Sequence, residues 1–444
     1  MIKTSKPQVV VAMSGGVDSS LAAFLLKEKG YEVIGITLKL WDYSEVGGDL
    51  YKDGRCCSLE AMNDARNVCQ KLGIPHYVLD FKEKFKEKVI NNFVEEYKKG
   101  RTPNPCIVCN TEIKWKLLWD KAKELGAEYL ATGHYARIKY LEVDKSFTTP
   151  TAGLAPHREE KRFLLLKGVD SRKDQSYALW RLSQENLSKT IFPLGELTKK
   201  EVRELAKKYN LKTAFKEESQ EICFVPDNDY QRFLKEWTSI RDKDSQEEIN
   251  QIHPGPIYDL NKKKIGEHKG IPFYTIGQRR GLKIALGKPL YVVKIDPDEN
   301  AIYVGENKDL LKTTFIVSNL NWISIPELKD KLNCSVKIRY LHSPAKATIS
   351  PYADSRSSMS ALRQAQGGEQ NRTTGLLDKK DNEFTLKKLS TTPAFSGRWL
   401  TYKPEDKVLV EFEKPERAIT PGQSAVFYEG EKVIGGGVIE KIEE

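Results

Sequence analysis

The feature that most constrains this chain is a Gly/Ser-rich turn between its first predicted strand and its first predicted helix. The run Gln8–Met13 is apolar and β-branched, which is typical of a buried strand. Ser14–Ser20 (SGGVDSS) follows at once, and Asp18–Lys29 then has the apolar spacing of a helix. Glycines let such a turn approach a ligand closely, and the free N–H groups of a helix start favour an anion. The string therefore indicates a phosphate site, although it lacks the closing Gly-Lys-Ser/Thr of a Walker A loop.

Strand and helix patterns alternate through the first 140 residues or so. After the first strand and helix, the predicted elements are a strand at Tyr31–Trp41, an amphipathic helix at Ser58–Leu72, a strand at Ile74–Asp80, helices at Lys82–Lys98 and Thr111–Leu125, and a strand at Ala127–Ile138. Strand–helix–strand repeats with short links imply right-handed crossovers. The expected fold class is therefore α/β, with a doubly wound parallel sheet.

The pattern changes near residue 250 to short strands separated by turns. Tyr291–Ile295 and Ala301–Gly305 flank a Pro-Asp-Glu-Asn turn, and Tyr428–Val433 has the pattern of a hairpin. These features predict a small central domain and a C-terminal antiparallel β-barrel. We expect domains at 1–215, 216–290 and 291–444. A Ser/Gln/Arg/Gly-rich stretch predicts a disordered insertion within 345–403, because it offers little apolar surface to bury.

Bulk composition excludes several classes of protein. No apolar run approaches the ~18 residues of a membrane-spanning helix, and the N-terminus lacks a secretory apolar region. We therefore expect a cytoplasmic protein without a membrane partner. Seven cysteines, an odd number in a long chain, favour reduced thiols over a disulfide scaffold. The net charge of +10 weakly favours a polyanionic partner.

Three cysteines, at two places in the sequence, are candidates for a chemical role. Cys106 and Cys109 form a Cys-x-x-Cys pair, but a closed zinc site needs four ligands and the sequence has no second pair. Cys109 precedes a predicted helix, a position that favours the nucleophilic thiolate, and Lys114 and Lys116 lie nearby. Cys223 stands in a short apolar run, for which a buried core cysteine is the ordinary interpretation.

The turn after the first strand resembles the PP-loop of the ATP-pyrophosphatase superfamily, adenylating enzymes that split ATP between its α- and β-phosphates. Seven further motifs follow in order: RTPNPCIVCN (101–110), ATGHY (131–135), KDQSY (173–177), FPLG (192–195), EICF (221–224), GQRRG (277–281) and TPGQS (420–424). With them the chain resembles the tRNA-specific 2-thiouridylases of the MnmA type from about residue 8 to 440. The resemblance is interrupted near 141–160 and 345–403.

The resemblance implies a PP-loop, adenine-nucleotide α-hydrolase-like fold and an ATP-dependent tRNA-uridine 2-sulfurtransferase. ATP would adenylate the C2 oxygen of the wobble uridine (U34), and sulfur would replace that oxygen, giving 2-thiouridine, AMP and pyrophosphate. Mg²⁺ would offset phosphate charge. The residues implied in ATP binding are Ala12, Met13, Ser14, Gly15, Gly16, Val17, Asp18, Ser19, Leu38 and Gly133. No metal ligand is assigned to a protein side chain.

The resemblance also gives the cysteines roles. Cys223 would receive sulfur as a persulfide from a donor protein. Cys109 would then attack the inner sulfur, which releases the thiolated base and leaves a Cys109–Cys223 disulfide. That pairing requires the two Cα atoms to approach within about 7 Å in one state. Cys106 stands where the best-described members carry Asp, so the three thiols could alternatively hold a [4Fe–4S] cluster.

The expected partner is tRNA with Lys, Glu or Gln acceptor identity, bound at its anticodon stem-loop by the C-terminal β-domain. The implied contacts are Asn104, Pro105 and Cys106 near the flipped-out base, Lys173, Asp174 and Gln175, and Arg339 and Tyr340. Gln278–Arg280 is either a further basic patch or a solvated loop. Two alternative functions remain. One is a PP-loop enzyme with another acceptor, such as tRNA lysidine synthetase, and the other is an inactive RNA-binding module.

Overall fold

The computed structural model describes residues 6–42, 46–47, 59–141, 162–216, 222–241, 252–352 and 406–443. Most of the insertion expected at 345–403 lies outside these residues, as do Cys56, Cys57 and the start of the EICF motif. The first part of that insertion was expected to be disordered, and this prediction is wrong for residues 345–352. Ala345–Tyr352 forms a strand, because its alternating apolar residues, including Ala347 and Ile349, are buried in the β-barrel.

The strands are β1 (Gln8–Ala12), β2 (Glu32–Lys39), β3 (His76–Asp80), β4 (Tyr129–Ala131), β5 (Ala136–Leu141), β6 (Arg162–Lys167), β7 (Thr190–Ile191), β8 (Gly255–Tyr258), β9 (Lys264–His268), β10 (Tyr291–Asp296), β11 (Ala301–Gly305), β12 (Leu311–Trp322), β13 (Leu332–Lys337), β14 (Ala345–Tyr352), β15 (Lys407–Arg417), β16 (Ser424–Glu429) and β17 (Lys432–Ile442).

The helices are α1 (Val17–Glu28), α2 (Leu59–Leu72), α3 (Lys82–Phe85, π-helical Lys86–Ile90, Asn91–Lys98), α4 (Pro105–Val108, π-helical Cys109–Leu118, Trp119–Glu124), α5 (Gln184–Ser188), α6 (Lys199–Lys208) and α7 (Tyr230–Arg241). Short 3₁₀ turns lie at Ser176–Leu179, Lys212–Phe215, Ile271–Phe273 and Asn307–Leu310. Among the described residues, no helix combines the length and the apolar character needed to cross a membrane.

The N-terminal region is a parallel sheet in the order β3-β2-β1-β4-β7. Its central strand β1 is buried on both faces. Val10 packs into the cluster that contains α3 and α4, whereas Val9 and Val11 pack against residues of α1 and α2. Burial on both faces explains the uninterrupted apolar run. The expected α/β fold with a doubly wound parallel sheet is confirmed.

Two predicted elements in this region have different bounds. The α4 helix begins at Pro105 rather than Thr111, because Asn104 takes the N-cap position and proline fits the first helical position. The strand expected at Ala127–Ile138 divides into β4 and β5, which belong to different sheets. The capping box expected at the start of α6 is present, with Thr198 and Glu201 bonded reciprocally.

The rest of the described chain forms two β structures. The central sheet has the order β10-β11-β8-β9, so the domain boundary expected at 290 cuts through it. The C-terminal barrel runs β12-β15-β14-β13-β16-β17 and is closed by pairing of β12 with β17. The β5–β6 hairpin of the N-terminal region extends this sheet from β17. The expected C-terminal antiparallel β-barrel is confirmed.

Candidate active site

The turn between β1 and α1 lies against the start of α2 and against the loop after β4. Gly15 has a φ of +74°, and a Cβ there would lie 2.1 Å from the carbonyl oxygen of Ala61. A Cβ on Gly133 would lie 2.8 Å from the carbonyl carbon of Asp18 and 2.9 Å from the nitrogen of Ser19. Both positions therefore require glycine. The structure brings Gly133 directly against the loop, and its part in ATP binding stays a prediction.

Serine hydroxyls hold the turn from inside. The Oγ atoms of Ser19 and Ser20 donate hydrogen bonds to the carbonyl oxygen of Gly16, at 3.2 and 2.8 Å. The backbone N–H of Ser14 donates to Ser19 Oγ at 3.2 Å. Gly16 is the N-cap of α1 and has extended backbone. The turn is thus a preformed cradle whose helix N-terminus can receive an anion.

Asp18, in the first turn of α1, has two partners that sequence analysis did not identify. The ammonium of Lys199 contacts both of its carboxylate oxygens, at 2.7 and 2.8 Å, and the hydroxyl of Tyr135 donates to one of them at 2.7 Å. Lys199 is almost fully buried at the start of α6. Its backbone N–H donates to Asp170, and this hydrogen bond is the main reason that the pKa of Asp170 is lowered.

The KDQ segment at 173–175 is bonded to the loop that carries Gly133. Gln175 accepts a hydrogen bond from the backbone N–H of Tyr135 and donates its own backbone N–H to the Tyr135 carbonyl, both at 2.9 Å. Asp174 is buried, and its carboxylate accepts from Gly168 and Ser176. The side chains of Asp174 and Gln175 therefore make hydrogen bonds within the protein. Lys173, in the same segment, is partly exposed.

The Cys-x-x-Cys pair lies in the first turns of α4. Cys106 follows Pro105 and is exposed, whereas Cys109 is partly buried. The backbone N–H of Cys109 donates to the carbonyl of Cys106. Cys109 therefore lies inside the helix rather than just before its start, because the helix begins earlier than the sequence pattern indicates.

Cys223 lies in a turn that is anchored beside the same helices. It is partly buried, and the next residue, Phe224, packs edge-to-face on Phe85 and Phe93 of α3 at 5.7 and 5.2 Å. The α3 helix in turn contacts α4. The α3 helix thus contacts both the helix that carries Cys109 and the residue that follows Cys223. Their disulfide stays a prediction.

The cysteines do not fit an iron–sulfur cluster in this structure. Across the described ranges, no group of three or more His, Cys, Asp or Glu side chains is arranged to hold a metal ion. Cys106, Cys109 and Cys223 are therefore not arranged as a three-thiolate ligand set, and we derive no step through a cluster.

A second group of residues joins α4 to the β-barrel. Asn104 Nδ2 donates to the Tyr177 hydroxyl at 3.5 Å, and that hydroxyl donates to the carbonyl of Ser424 at 2.9 Å. The ring of Tyr340 lies 6.3 Å from that of Tyr177. Lys337 Nζ lies 5.8 and 5.9 Å from these ring centroids, and burial lowers its pKa. Two of the expected tRNA-contact regions, at Asn104 and at Tyr340, thus meet at Tyr177.

A basic band continues from this group toward the central sheet. Arg339 donates to the carbonyl of Arg417 at 3.0 Å, and the guanidinium of Arg417 lies close to Gly277. Arg279 and Arg280 follow and are exposed. The neighbouring Gln278 instead braces the turn, since its side chain accepts from the Thr275 N–H and donates to the carbonyl of Arg280.

His134, which received no role, is packed beside the nucleotide loop. Its Nδ1 lies 2.7 Å from Thr132 Oγ1, and its ring meets those of Trp115 and Phe192. Burial lowers the pKa of His134 well below its ordinary value, so the imidazole is neutral at pH 7. Thr37 lies on the neighbouring strand β2. Its hydroxyl donates to the Met13 carbonyl at 2.9 Å and so supports the start of the turn.

Family comparisons cover nearly the whole chain. Residues 7–227 match the tRNA methyl transferase HUP domain, residues 245–306 the tRNA methyl transferase PRC-barrel domain, and residues 312–367 and 374–439 the aminomethyltransferase beta-barrel domain. The tRNA-specific 2-thiouridylase MnmA 1 of Caldanaerobacter subterraneus subsp. tengcongensis is 44% identical over 436 residues, covering 98% of each chain. MnmA of Carboxydothermus hydrogenoformans is 43% identical, again covering 98% of each chain. MnmA of Clostridium perfringens is 41% identical and covers 99% of each.

Proposed function

Because this chain belongs to the family of tRNA-specific 2-thiouridylases, we propose that it adenylates the C2 oxygen of the wobble uridine with ATP and then replaces that oxygen with sulfur. The products are 2-thiouridine in the tRNA, AMP and pyrophosphate. The substrates are tRNAs with Lys, Glu and Gln acceptor identity, bound through the anticodon stem-loop. The observation that carries the proposal is that one chain holds a preformed PP-loop together with two cysteine segments, at Cys109 and Cys223, that both contact α3.

The PP-loop is the proposed ATP site. Its backbone turns at Gly15, and the backbone near Gly133 closes one side, so phosphates meet backbone N–H groups rather than side-chain bulk. Lys199 adds a cation beside Asp18 at the start of α1. A Mg²⁺ ion bound with ATP supplies charge neutralisation for the departing pyrophosphate.

The group around Tyr177 and Tyr340 is the proposed seat of the anticodon loop. Tyr340 is 41% exposed and offers a ring face on which an unpaired base can stack. Asn104, the N-cap of α4, bonds to Tyr177, Cys106 in the first turn of that helix is proposed to lie near the base, and Arg339 supplies a cation for the phosphate backbone. A base extruded from a loop costs less than one taken from a duplex.

Sulfur transfer is proposed in two bond exchanges. The terminal sulfur of a Cys223 persulfide attacks C2, the C–O bond breaks, and AMP leaves with the oxygen. The Cys109 thiolate then attacks Sγ of Cys223, and the bond to the transferred sulfur breaks, leaving the electron pair on the thiolated base. A Cys109–Cys223 disulfide remains, and two electrons from a reductant restore both thiols.

The direct test is mass spectrometry of tRNA nucleosides after incubation with ATP, Mg²⁺ and a persulfide-donor protein. We expect 2-thiouridine from the wild type and from Cys334→Ser, a remote thiol in β13 whose pKa burial raises to about 12. Cys109→Ser and Cys223→Ser should produce none. Full thiolation by either variant would overturn the sulfur scheme. A product other than a thiolated uridine would instead favour a PP-loop enzyme with another acceptor.

A further inference from the structure

We propose that Cys106 is a resolving cysteine, which takes over the disulfide from Cys223 after each sulfur transfer and presents it to an external dithiol reductant. This inference rests on the proposed function, because it requires a Cys109–Cys223 disulfide to form. It concerns the first cysteine of the Cys-x-x-Cys pair, to which the proposed sulfur transfer gives no chemical step. The role is distinct from sulfur transfer itself.

The first argument is the helical geometry of the pair. Cys106 and Cys109 lie three residues apart in the first turns of α4, and the N–H of Cys109 donates to the carbonyl of Cys106. Residues at this spacing lie on the same face of a helix, with Cβ atoms about 5–6 Å apart. A disulfide requires Cβ atoms about 3.5–4.5 Å apart, so this turn closes one when the two Cβ atoms move together by about 1–2 Å.

The second argument is the difference in exposure among the three thiols. Cys109 and Cys223 are partly buried and pack against the apolar cluster that Phe224 shares with α3. A protein reductant must reach a disulfide along the direction of attack, and access limits the rate of exchange. Cys106 is exposed, so a Cys106–Cys109 disulfide presents one sulfur to the outside.

The disulfide exchange among the three cysteines balances without another reactant, and only the later reduction needs an external dithiol. The Cys106 thiolate attacks Sγ of Cys109, a Cys106–Cys109 bond forms, and the Cys109–Cys223 bond breaks. Cys223 leaves as a thiolate, which is then ready to receive the next sulfur. An external protein dithiol gives two electrons and two protons to the Cys106–Cys109 disulfide and becomes a disulfide itself.

The test begins with the wild-type enzyme. Enzyme loaded with persulfide completes one turnover with ATP, Mg²⁺ and tRNA in the absence of reductant, and the reaction is quenched in acid. Free thiols are then alkylated, and the disulfides are mapped by mass spectrometry. We expect a Cys106–Cys109 disulfide and an alkylated Cys223. A Cys109–Cys223 disulfide with an alkylated Cys106 would overturn the proposal.

A kinetic ratio provides the second readout. With a thioredoxin-type protein as reductant, Cys106→Ser should lower the ratio of steady-state rate to first-turnover rate by ~10-fold or more. The disulfide left in this variant joins the partly buried Cys109 and Cys223, and a protein reductant reaches it slowly. Excess small dithiol should restore the ratio, and Cys334→Ser should keep the wild-type ratio. An unchanged ratio in Cys106→Ser would contradict the role. If no disulfide at Cys109 forms in any variant, the sulfur-transfer scheme itself has failed.

Discussion

The ammonium of Lys199 binds both carboxylate oxygens of Asp18, at 2.7 and 2.8 Å, across 181 positions of sequence. Asp18 belongs to the PP-loop string, whereas Lys199 is the first residue of α6. The hydroxyl of Tyr135 donates to the same carboxylate, and the backbone of Tyr135 is bonded to Gln175. The nucleotide loop and a segment expected to contact tRNA thus share one hydrogen-bonded frame.

The first prediction concerns this ion pair. Lys199→Met should lower the free energy of unfolding by about 1–2 kcal/mol, because a half-buried carboxylate loses its main partner. It should also raise the KM for ATP roughly ten-fold, about 1.4 kcal/mol, since a cation beside the phosphates is lost. Urea unfolding and initial rates at varied ATP measure both.

The neighbouring lysine is the matched control for that variant. The Lys200 side chain is 86% exposed, so Lys200→Met should change stability by less than about 0.5 kcal/mol and leave the KM for ATP unaltered. Equal KM values for the Lys199 and Lys200 variants would show that Lys199 does not serve the nucleotide site.

A second prediction separates backbone strain from steric exclusion in the PP-loop. Gly15 and Gly30 both have positive φ, at +74° and +86°, but a Cβ on Gly30 meets nothing within 4 Å. Gly30→Ala should therefore cost only about 1–2 kcal/mol of unfolding free energy. Gly15→Ala adds the clash with the Ala61 carbonyl and should abolish ATP binding, measured by calorimetry. Wild-type ATP affinity in Gly15→Ala would refute the close-packed loop.

The third prediction is a pH dependence at the base of α6. The pKa of Asp170 is lowered mainly by the Lys199 N–H, so its stabilising effect is present above the ordinary Asp pKa of about 3.9. That stabilisation is lost as pH falls through the lowered folded-state pKa. Asp170→Asn should cost about 1 kcal/mol at pH 7, and the difference should shrink in the acid range. Asp120→Asn, at an exposed carboxyl in α4 that pairs with Lys123, is the control and should change the free energy of unfolding at pH 7 by less than about 0.5 kcal/mol in urea unfolding.

A fourth prediction tests the basic band as a surface for the RNA backbone. Within the described residues, Arg279 and Arg280 form no ion pair, and Gln278 fixes their turn. Replacing both arginines by Ala should weaken tRNA binding and reduce the slope of log K against log salt by about 1–2. Lys121→Ala, an exposed residue paired with Glu124, is the control. An unchanged salt slope in the double variant would argue for a solvated loop.

Local sequence patterns predicted the elements that local interactions determine. The β1–turn–α1 unit follows from an apolar run, glycines and helical spacing within about 20 residues, and the structure contains it. The start of α4 was missed because Pro105 and its neighbours are typical of a loop as well as of a helix start.

Contacts between distant segments could not be predicted from these patterns. The Lys199–Asp18 pair joins two segments of the N-terminal region that are 181 positions apart, and the contact of Tyr177 with Tyr340 depends on how this region packs on the barrel. The division of Ala127–Ile138 is similar: β5 leaves the parallel sheet to pair with β6 beside the barrel, a choice that only the tertiary fold determines.

The central claim is that the C2 oxygen of the uridine is adenylated before sulfur replaces it. Wobble uridine carrying ¹⁸O at C2 tests this directly, with mass spectrometry of the AMP formed in one turnover. The account predicts one ¹⁸O atom in the phosphate of AMP for each 2-thiouridine made. AMP without the label, with 2-thiouridine still formed, would contradict it.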